Sequence, residues 1–357
     1  MNPRILVVGA GINGLCAAWQ LLRHMPGSDI LLVDRFLPGH GRGSSHGDER
    51  IIRSSYATAE WVRAMVYTRA ELWPQLEADV GARLVHPGPA VFWGPEAGPI
   101  GAYSEAVRGA AGSGVHIEEI DVVEARRRFP HMRFPDAERV LHDHDAGVIA
   151  AARTMRALER LLADAGVRRL QARVTGLDED DAGVTLQTSE GPLRAEHVVL
   201  AAGAWIRDLV PSLAPRAMPA YQHVGFWEMD VAVGRSPAWV HLGVEGLHYG
   251  LPTFDGEMKA AFHRTGTGED DPDTEEWPDP AELERVREKL SEWFVPGPGA
   301  RIGWDTCLYT NAPEDAFVLE EPPGHRRVLA VSACSGHAFK LAPHTGERVA
   351  AWVVGRG

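Results

Sequence analysis

Three stretches of the sequence carry side chains whose types and spacing could do chemistry. The first runs from Ser45 to Arg53 and holds two arginines, Arg50 and Arg53, three positions apart. On a helical turn these arginines would share a face. Paired guanidinium groups suit a carboxylate, because the fork of each matches its two oxygens. The stretch therefore indicates a site for an anionic ligand, with a solvated turn bearing surface arginines as the alternative.

The second stretch runs from Lys259 to His263 and has the pattern of a β-strand. Side chains two positions apart lie on one face of a strand, so Lys259, Ala261 and His263 would point the same way. A lysine among apolar neighbours is costly unless it is paired or useful. Lys259 is therefore a candidate site residue, and a solvent-facing sheet edge is the alternative.

The third stretch consists of two short segments near the end of the chain. In an extended strand, Cys307 and Tyr309 share a face, and Ser335-Gly-His-Ala-Phe-Lys340 adds a histidine and a lysine. Taken alone, Cys307 is more typical of a small buried hydrophobic residue, and Lys340 of a surface charge. The chemistry of this stretch depends on what the fold brings beside it.

Two further motifs are weaker. His142 and His144 would share a strand face, but neither a cysteine nor a third histidine stands nearby at ligand spacing, so we expect a polar loop and no metal. The segment from Gly43 to Gly47 matches the letters of a serine-hydrolase elbow. No apolar strand leads into it, so we do not expect Ser45 to be a nucleophile.

A strand, glycine, helix and strand pattern at the start of the chain would position these groups. Ile5–Val8 is a short apolar strand. Gly9 then makes a tight turn, Gly11 lets the backbone approach a pyrophosphate, and Gly14 lets the next helix pack close to the sheet. Asp34 ends the second strand, where it can accept hydrogen bonds from a ribose. The pattern predicts a dinucleotide site at the N-terminus of the first helix.

Later blocks repeat the alternation of helices and buried strands. Residues 151–164 predict a helix, and 197–203 an apolar strand that can return to the same parallel sheet. The stretches between are richer in tryptophan, proline and alternating patterns, and 281–294 predict an amphipathic helix. We predict an α/β fold in which a mixed or antiparallel sheet domain is inserted into a Rossmann-like nucleotide domain, with the site between them. The predicted boundaries are 1–80, 145–215 and 305–357 for the nucleotide domain, and 81–144 and 216–304 for the inserted substrate domain.

The composition excludes several classes of function. A net charge of −13 over 357 residues disfavours nucleic acid and anionic membrane surfaces as partners. No apolar run approaches the roughly 20 residues of a membrane-spanning helix. The chain leads straight into its first strand without a leader pattern, so we expect a cytoplasmic protein. Its three cysteines cannot form a disulfide framework.

Together these segments resemble the monomeric sarcosine oxidase family, within the glutathione-reductase-like flavoproteins that include D-amino-acid oxidases. The resemblance covers nearly the whole chain. Its most specific parts are Ser45–Arg53, Cys307–Thr310 and Ser335–Lys340, in the family's order and near its spacing. It implies FAD, attached covalently by a thioether from Cys307 to the 8α-methyl of the isoalloxazine, since a thiolate is a good nucleophile for that methyl. Cys334 is the second candidate for a reactive thiol.

The resemblance also assigns roles to individual side chains. Arg53 and Lys340 match the pair that binds a substrate carboxylate. Lys259 matches the lysine that helps oxygen accept electrons, where a fixed cation would stabilise developing superoxide. The other residues implied to line the catalytic cavity are His46, Arg50, Tyr249, His263 and Tyr309. Besides Cys307, those implied to hold the cofactor are Gly9, Gly11, Gly14, Asp34, Ser45, Gly336, His337, Phe339 and Lys340.

These roles imply a monomeric, flavin-dependent amine oxidase that uses molecular oxygen and releases hydrogen peroxide. Its substrate would be an amino acid with a secondary amine, N-methylated or cyclic, as in sarcosine or pipecolate. Bulky residues at Phe226, Trp227 and Trp304 predict a substrate cavity unlike that of sarcosine-specific members. Three alternatives stay open: a flavin dehydrogenase that passes electrons to a carrier, an NAD-dependent dehydrogenase, and a flavin-binding interaction subunit without turnover.

Overall fold

The computed structural model describes residues 3–136, 138–263, 271–332 and 335–356. Two large sheets, one mostly parallel and one mixed, dominate these residues, and two three-stranded sheets join them. The α-helices are α1 Ile12–Leu21, α2 Ala59–Tyr67, α3 Trp73–Val80, α4 Ile100–Gly109, α5 Val122–Arg128, α6 Ala151–Asp164, α7 Ile206–Leu209, α8 Pro280–Trp293 and α9 Ala338–Val354. The strands are β1 Ile5–Val8, β2 Ile30–Asp34, β3 Glu49–Ile52, β4 Val85–Pro87, β5 Ala90–Pro95, β6 Ile117–Ile120, β7 Glu138–Asp143, β8 Gly147–Ala150, β9 Arg168–Gln171, β10 Val174–Asp180, β11 Gly183–Thr188, β12 Leu193–Ala195, β13 His197–Leu200, β14 Met218–Glu228, β15 Ala238–Gly243, β16 Gly246–Pro252, β17 Glu257–His263, β18 Arg301–Asn311, β19 Val318–Glu320 and β20 Val328–Ser332.

The six-stranded sheet has the order β19-β20-β13-β1-β2-β9. Its strands β20, β13, β1, β2 and β9 run parallel, and β19 closes one edge antiparallel to β20. The strands β20, β13, β1 and β2 are short and mostly apolar, as expected where both faces of a parallel sheet are covered, whereas the edge strand β9 is polar. Helices α1 and α9 pack on one face, and the β10-β11-β12 sheet packs on the other.

The eight-stranded sheet has the order β18-β14-β17-β16-β15-β5-β7-β6, with one parallel pair, β5 and β15. Helix α8 covers one face through Val286, Leu290 and Trp293, which pack on Met258 and Ala260 of β17. Successive strand residues point to opposite faces. Lys259 and His263 therefore lie on the face turned away from α8.

A third sheet, β3-β8-β4, sits between the two large ones and carries the stretch that begins at Ser45. Glu49–Ile52 is a strand and not a helical turn, so Arg50 and Arg53 do not share a face, and our helical expectation for them is wrong. Pairing with β8 imposes a period of two on this stretch.

The predicted α/β fold is confirmed, with helices at residues 151–164 and 280–293 close to where the pattern placed them. Strand β18 spans residues 301–311 and so crosses the predicted boundary at 305. The division into two domains remains a prediction. None of the helices in the described part of the chain is both long and apolar enough to cross a bilayer.

Candidate active site

A cavity of about 620 Å³ opens at the carboxyl ends of the parallel strands. One end lies against Asp34 and Phe36, after β2, and the middle runs past Gly9 and Gly11 at the start of α1. The other end reaches Gly47, beside the mixed sheet. This is the edge of an open α/β sheet where ligands bind, and the volume is that of a small-molecule or cofactor site.

The glycine motif has the geometry that a dinucleotide requires. Gly9 has a φ of +99°, which a residue with a side chain adopts only under strain. A β-carbon on Gly14 would lie 1.9 Å from the carbonyl oxygen of Gly9, so only glycine lets α1 pack this closely. Asp34 accepts the N–H of Ala10 at 2.6 Å, which fixes the turn while its carboxylate still faces the cavity. These residues fit FAD.

The loop from Gly43 to Gly47 forms the far wall of the cavity. Ser45 Oγ accepts the N–H of Ile12 at 3.0 Å, so Ser45 is a structural contact of α1. The guanidinium of Arg50 donates to the carbonyls of Ser44, at 2.9 Å, and Glu49, at 2.8 Å. His46 contacts the carbonyl of Thr306 at 2.9 Å. Arg50 and His46 therefore hold the loop against β3 and β18.

Two buried cations lie beyond this wall. Arg53 and Lys340 are each 4% exposed. Both approach the ring of Tyr56, whose centroid lies 4.4 Å from Arg53 Cζ and 5.9 Å from Lys340 Nζ. The guanidinium of Arg53 also donates to the carbonyl of Ser55. The two cations create a strongly positive region, which suits a carboxylate.

Two buried imidazoles share this region. The rings of His263 and His337 are nearly parallel, with centroids 6.1 Å apart. Burial, followed by the charges of Arg53 and Lys340, lowers the pKa of His263 to about 4. Burial and the same two cations hold the pKa of His337 well below its ordinary value. Both imidazoles are therefore neutral at pH 7 and can exchange hydrogen bonds with a ligand.

Two phenols and a thiol lie on the neighbouring strands. Tyr249 and Tyr309 are hydrogen-bonded to each other, and burial raises the pKa of Tyr249 to about 12. Cys307 shares the face of Tyr309 on β18, as predicted, and its Sγ lies 3.9 Å from the carbonyl of Ser44. Ser44 lines the cavity. The thiol of Cys307 therefore lies just behind the cavity wall.

The turn into α9 completes the site. Gly336 has a φ of +79°, and a β-carbon there would lie 2.3 Å from Cε2 of Tyr309. Only glycine therefore lets the turn pack this closely against the Tyr309 ring. Phe339 is 7% exposed, with its ring centroid 5.7 Å from Cζ of Arg50. Cys334, the second thiol candidate, lies outside the described residues.

Lys259 occupies a corner where β17, β3 and β18 meet. It is 6% exposed, and its Nζ donates to the carbonyl of Glu49 at 3.4 Å. A β-carbon on Gly47 would lie 3.8 Å from this Nζ and 3.7 Å from Asp305 Oδ2. Because Gly47 lines the cavity, the ammonium of Lys259 lies just behind the cavity wall. The alternative of a solvent-facing edge lysine is wrong.

Sequence reasoning missed Tyr56, Glu49 and Asp305, which the fold places at the site. Asp305 lies two residues before Cys307, so the same alternation that joined Cys307 to Tyr309 could have found it. Our expectation that Trp227 shapes the cavity is wrong. It is fully buried in the core under α8, on the opposite face from Lys259.

Trp304 does not shape the cavity either. It is 41% exposed and packs against Trp277, with ring centroids 5.0 Å apart and the ring planes tilted by 53°. Phe226 alternates with Trp227 along β14 and lies on the site face, its ring centroid 5.6 Å from Lys259 Nζ. Of the three bulky residues, Phe226 therefore borders the site.

His142, on β7, and His144, just after it, lie near a third possible metal ligand that their spacing did not reveal. Possible ligand atoms of Glu118, His142 and His144 lie within 4.8 Å of one another. Arg128 already contacts two of them, His142 Nδ1 at 3.0 Å and Glu118 Oε2 at 2.5 Å. This guanidinium already supplies a positive charge to two of the three possible ligands, so the cluster does not argue for a metal ion.

Between those histidines, Asp143 is fully buried. Its Oδ2 accepts the N–H of Ser54 at 2.7 Å, and its Oδ1 accepts the N–H of Asp145 at 3.2 Å. Ser54 follows Arg53 directly. This part of the motif therefore anchors the backbone next to Arg53.

Comparison with known proteins agrees with this geometry. A family model described as FAD dependent oxidoreductase, DAO, matches residues 4–352. N-methyl-L-tryptophan oxidase of Salmonella agona is 29% identical over 367 residues, covering 100% of this chain and 96% of that protein. N-methyl-L-tryptophan oxidase of Citrobacter koseri is 29% identical over 368 residues with the same coverage.

Solved structures share the fold. NikD, an unusual amino acid oxidase essential for nikkomycin biosynthesis, matches with a TM-score of 0.85 at 23% identity, over 100% of this chain and 95% of that one. Glycine oxidase from Geobacillus kaustophilus matches with a TM-score of 0.79 at 16% identity, over 99% and 94%. The matched family uses FAD, so the NAD-dependent alternative is wrong. The resemblance noted in the sequence is confirmed: the chain belongs to the DAO family of FAD-dependent oxidoreductases.

Proposed function

We propose that this enzyme oxidises an amino acid that carries a secondary amine, N-methylated or cyclic, and passes the electrons to molecular oxygen. The substrate loses two electrons and two protons to become an imine, and oxygen takes both up as hydrogen peroxide. FAD, when bound, accepts the electrons from the carbon next to nitrogen and hands them to oxygen. The N-methyl amino acid named for the Salmonella and Citrobacter relatives supports this substrate class.

The observation that carries the proposal is the convergence of Arg53 and Lys340 on one aromatic ring beside two neutral imidazoles. Two buried cations bind a carboxylate and orient the adjacent carbon–nitrogen bond towards the cofactor cavity. The same cations lower the pKa of a bound ammonium, which favours the neutral amine that must react. His263, which is neutral above about pH 4, can then accept a hydrogen bond from the amine.

A peroxide-coupled screen of the holoenzyme tests the function. Sarcosine, other N-methyl amino acids, proline, pipecolate and ordinary L- and D-amino acids are compared with matched amines that lack the carboxylate. We expect peroxide, and anaerobic bleaching of the flavin, from secondary-amine amino acids. Arg53→Ala should weaken binding of simple carboxylate inhibitors about 10- to 100-fold, because a charged hydrogen bond contributes about 1.5–3 kcal/mol.

Arg287→Ala is the matched control, because it removes a guanidinium that is 42% exposed on α8. If carboxylate inhibitors bind Arg53→Ala and the wild type equally well, the proposed role of Arg53 in binding the substrate carboxylate is rejected. Flavin that bleaches without peroxide would indicate a dehydrogenase, and flavin that never bleaches would indicate a subunit without turnover.

We also propose that Cys307 forms the covalent link to FAD. The new bond joins Sγ to the 8α carbon, while the thiol hydrogen and one methyl hydrogen leave together with two electrons, which oxygen accepts. We expect denatured wild-type protein to carry a fluorescent flavin band on a gel, and Cys307→Ser to lack it. Cys16→Ser, at a fully buried position on α1, and Cys334→Ser are the controls that should keep the band. Flavin released from denatured wild type would refute the link.

A further inference from the structure

Lysine is rare in this chain. Of its 36 lysines and arginines, only Lys259, Lys289 and Lys340 are lysine. Two of these three are buried at the candidate site, each at most 6% exposed. Arginine stays charged at every accessible pH, whereas a buried lysine changes its charge readily. The site therefore holds two of the three lysines of a protein that otherwise relies on arginine for its positive charge.

Among the residues that the structure describes, the charged and titratable groups that act on Lys259 come from β3 and β18. Arg50 on β3 repels its ammonium, whereas Glu49 on β3, and Asp305 and Cys307 on β18, attract it. Burial, followed by Arg50, lowers the pKa of Lys259 to about 8, against the opposing pull of Glu49 and Asp305. Lys259 therefore changes between its charged and neutral forms close to physiological pH.

The two carboxylates are not equivalent. Glu49 is 4% exposed, its Oε1 accepts the N–H of Phe254 at 3.2 Å, and its backbone carbonyl accepts the ammonium of Lys259 at 3.4 Å. The side chain of Asp305 is 35% exposed and already contacts His46 at 3.2 Å. Charges act more strongly on each other where water is excluded, so Glu49 is the more effective counter-charge.

We propose that Glu49 is a positioning residue that keeps the ammonium of Lys259 charged beside the cavity, and so sets the upper pH limit of the oxygen step. The role in the oxygen step rests on the proposed function; the effect of the Glu49 charge on Lys259 does not. Lys259 loses its positive charge as the pH rises through about 8. Without the charge of Glu49, that loss occurs at a lower pH.

The effect of Glu49 on the charge of Lys259 can be measured in the apoprotein, without flavin or turnover. Lysine labelled with ¹³C at the ε position gives three signals from a chain with three lysines, and Lys259→Met identifies the one of interest. We expect Glu49→Gln to move the titration midpoint of Lys259 down by about one pH unit. Asp305→Asn should move it less, and Glu49→Asp, which keeps the charge, should also move it less than Glu49→Gln.

An unchanged Lys259 midpoint in Glu49→Gln would overturn the proposal, and so would an equal shift in Glu49→Gln and Glu49→Asp. If Glu49→Gln does not fold, Glu49→Met supplies a second neutral side chain of similar length, for which the same outcomes apply. Folding of each variant is checked by circular dichroism before titration.

The consequence for oxygen is measured in the holoenzyme by stopped flow between pH 6 and 9. In Glu49→Gln, reoxidation by oxygen should slow at a pH about one unit lower than in wild type, while anaerobic reduction keeps its own pH profile. A shifted lysine signal with an unshifted oxygen profile would overturn the role in the oxygen step. Absence of peroxide with every amine would instead contradict the proposed function, while the measured effect of Glu49 on the titration of Lys259 would still stand.

Discussion

His263 illustrates how the site imposes a cost on the fold. Its imidazole is buried among two cations, and its pKa falls to about 4. In the unfolded chain a histidine takes up a proton near pH 6.5. Between these values the unfolded state binds a proton that the folded state refuses, so stability falls as the pH is lowered through this window and is unaffected by this group above it.

We therefore expect His263→Gln to flatten the pH dependence of stability. Relative to its own value at pH 7, the wild type should lose about 2 kcal/mol more than the variant at pH 5. Urea unfolding of the apoprotein at a series of pH values measures this difference. His116→Gln, at an imidazole whose side chain is 68% exposed, is the control. Parallel curves for His263→Gln and wild type would show that the imidazole titrates alike in both states.

Single residues were predictable where one strand sets the geometry. Lys259 with His263, and Cys307 with Tyr309, share faces because a strand has a period of two. Arg50 and Arg53 were placed wrongly, since a period near three was assumed for a stretch in which Glu49–Ile52 is a strand paired with β8. Tyr56 could not be linked to Lys340, because their contact joins residues almost 300 positions apart through tertiary packing alone.

At the scale of elements, the turn from β20 into α9 shapes the site. Its glycine, Gly336, has a φ of +79° and packs against the ring of Tyr309. Ser335 in the same turn is fully buried and donates its N–H to the carbonyl of Thr310 at 3.0 Å. The turn therefore ties α9, with Lys340 in its first turn, to the strand that carries Cys307.

A pair of glycine substitutions separates crowding in this turn from backbone strain. Gly324 has a similar φ of +84°, but a β-carbon there would meet nothing within 4 Å. Gly324→Ala should cost about 1–2 kcal/mol, from the left-handed conformation alone. Gly336→Ala should cost a further ~1–3 kcal/mol, because the ring of Tyr309 must move. Urea unfolding measures both, and equal losses would contradict the close packing.

Element boundaries were predictable where the apolar pattern was long and its ends were marked. Helix α6 begins and ends where its periodicity and Gly166 indicated, and α8 starts one residue before its predicted limit. It was harder to predict which face of β14 each of its residues occupies. Trp227 lies under α8, whereas Phe226 faces Lys259, because pairing with β17 and β18 decides which side each residue occupies.

At the scale of the whole molecule, the glycine motif was enough to place the cavity at the carboxyl ends of the parallel strands. The strand order of the mixed sheet was not predictable, because β5 joins β15 across a separation of more than a hundred residues. That order decides which strands face the cavity. The sequence alone could therefore suggest the site's members but not the distances between them.

The scarcity of lysine has a practical consequence for attaching this protein to a support. Lys259 and Lys340 are buried, so linkers that react with lysine side chains should couple at Lys289, whose side chain is 42% exposed. Helix α8 carries Lys289 on the outer face of the mixed sheet, away from the cofactor cavity. Immobilisation through that single side chain would present the molecule in one orientation, with the face of the mixed sheet that carries Lys259 turned away from the support.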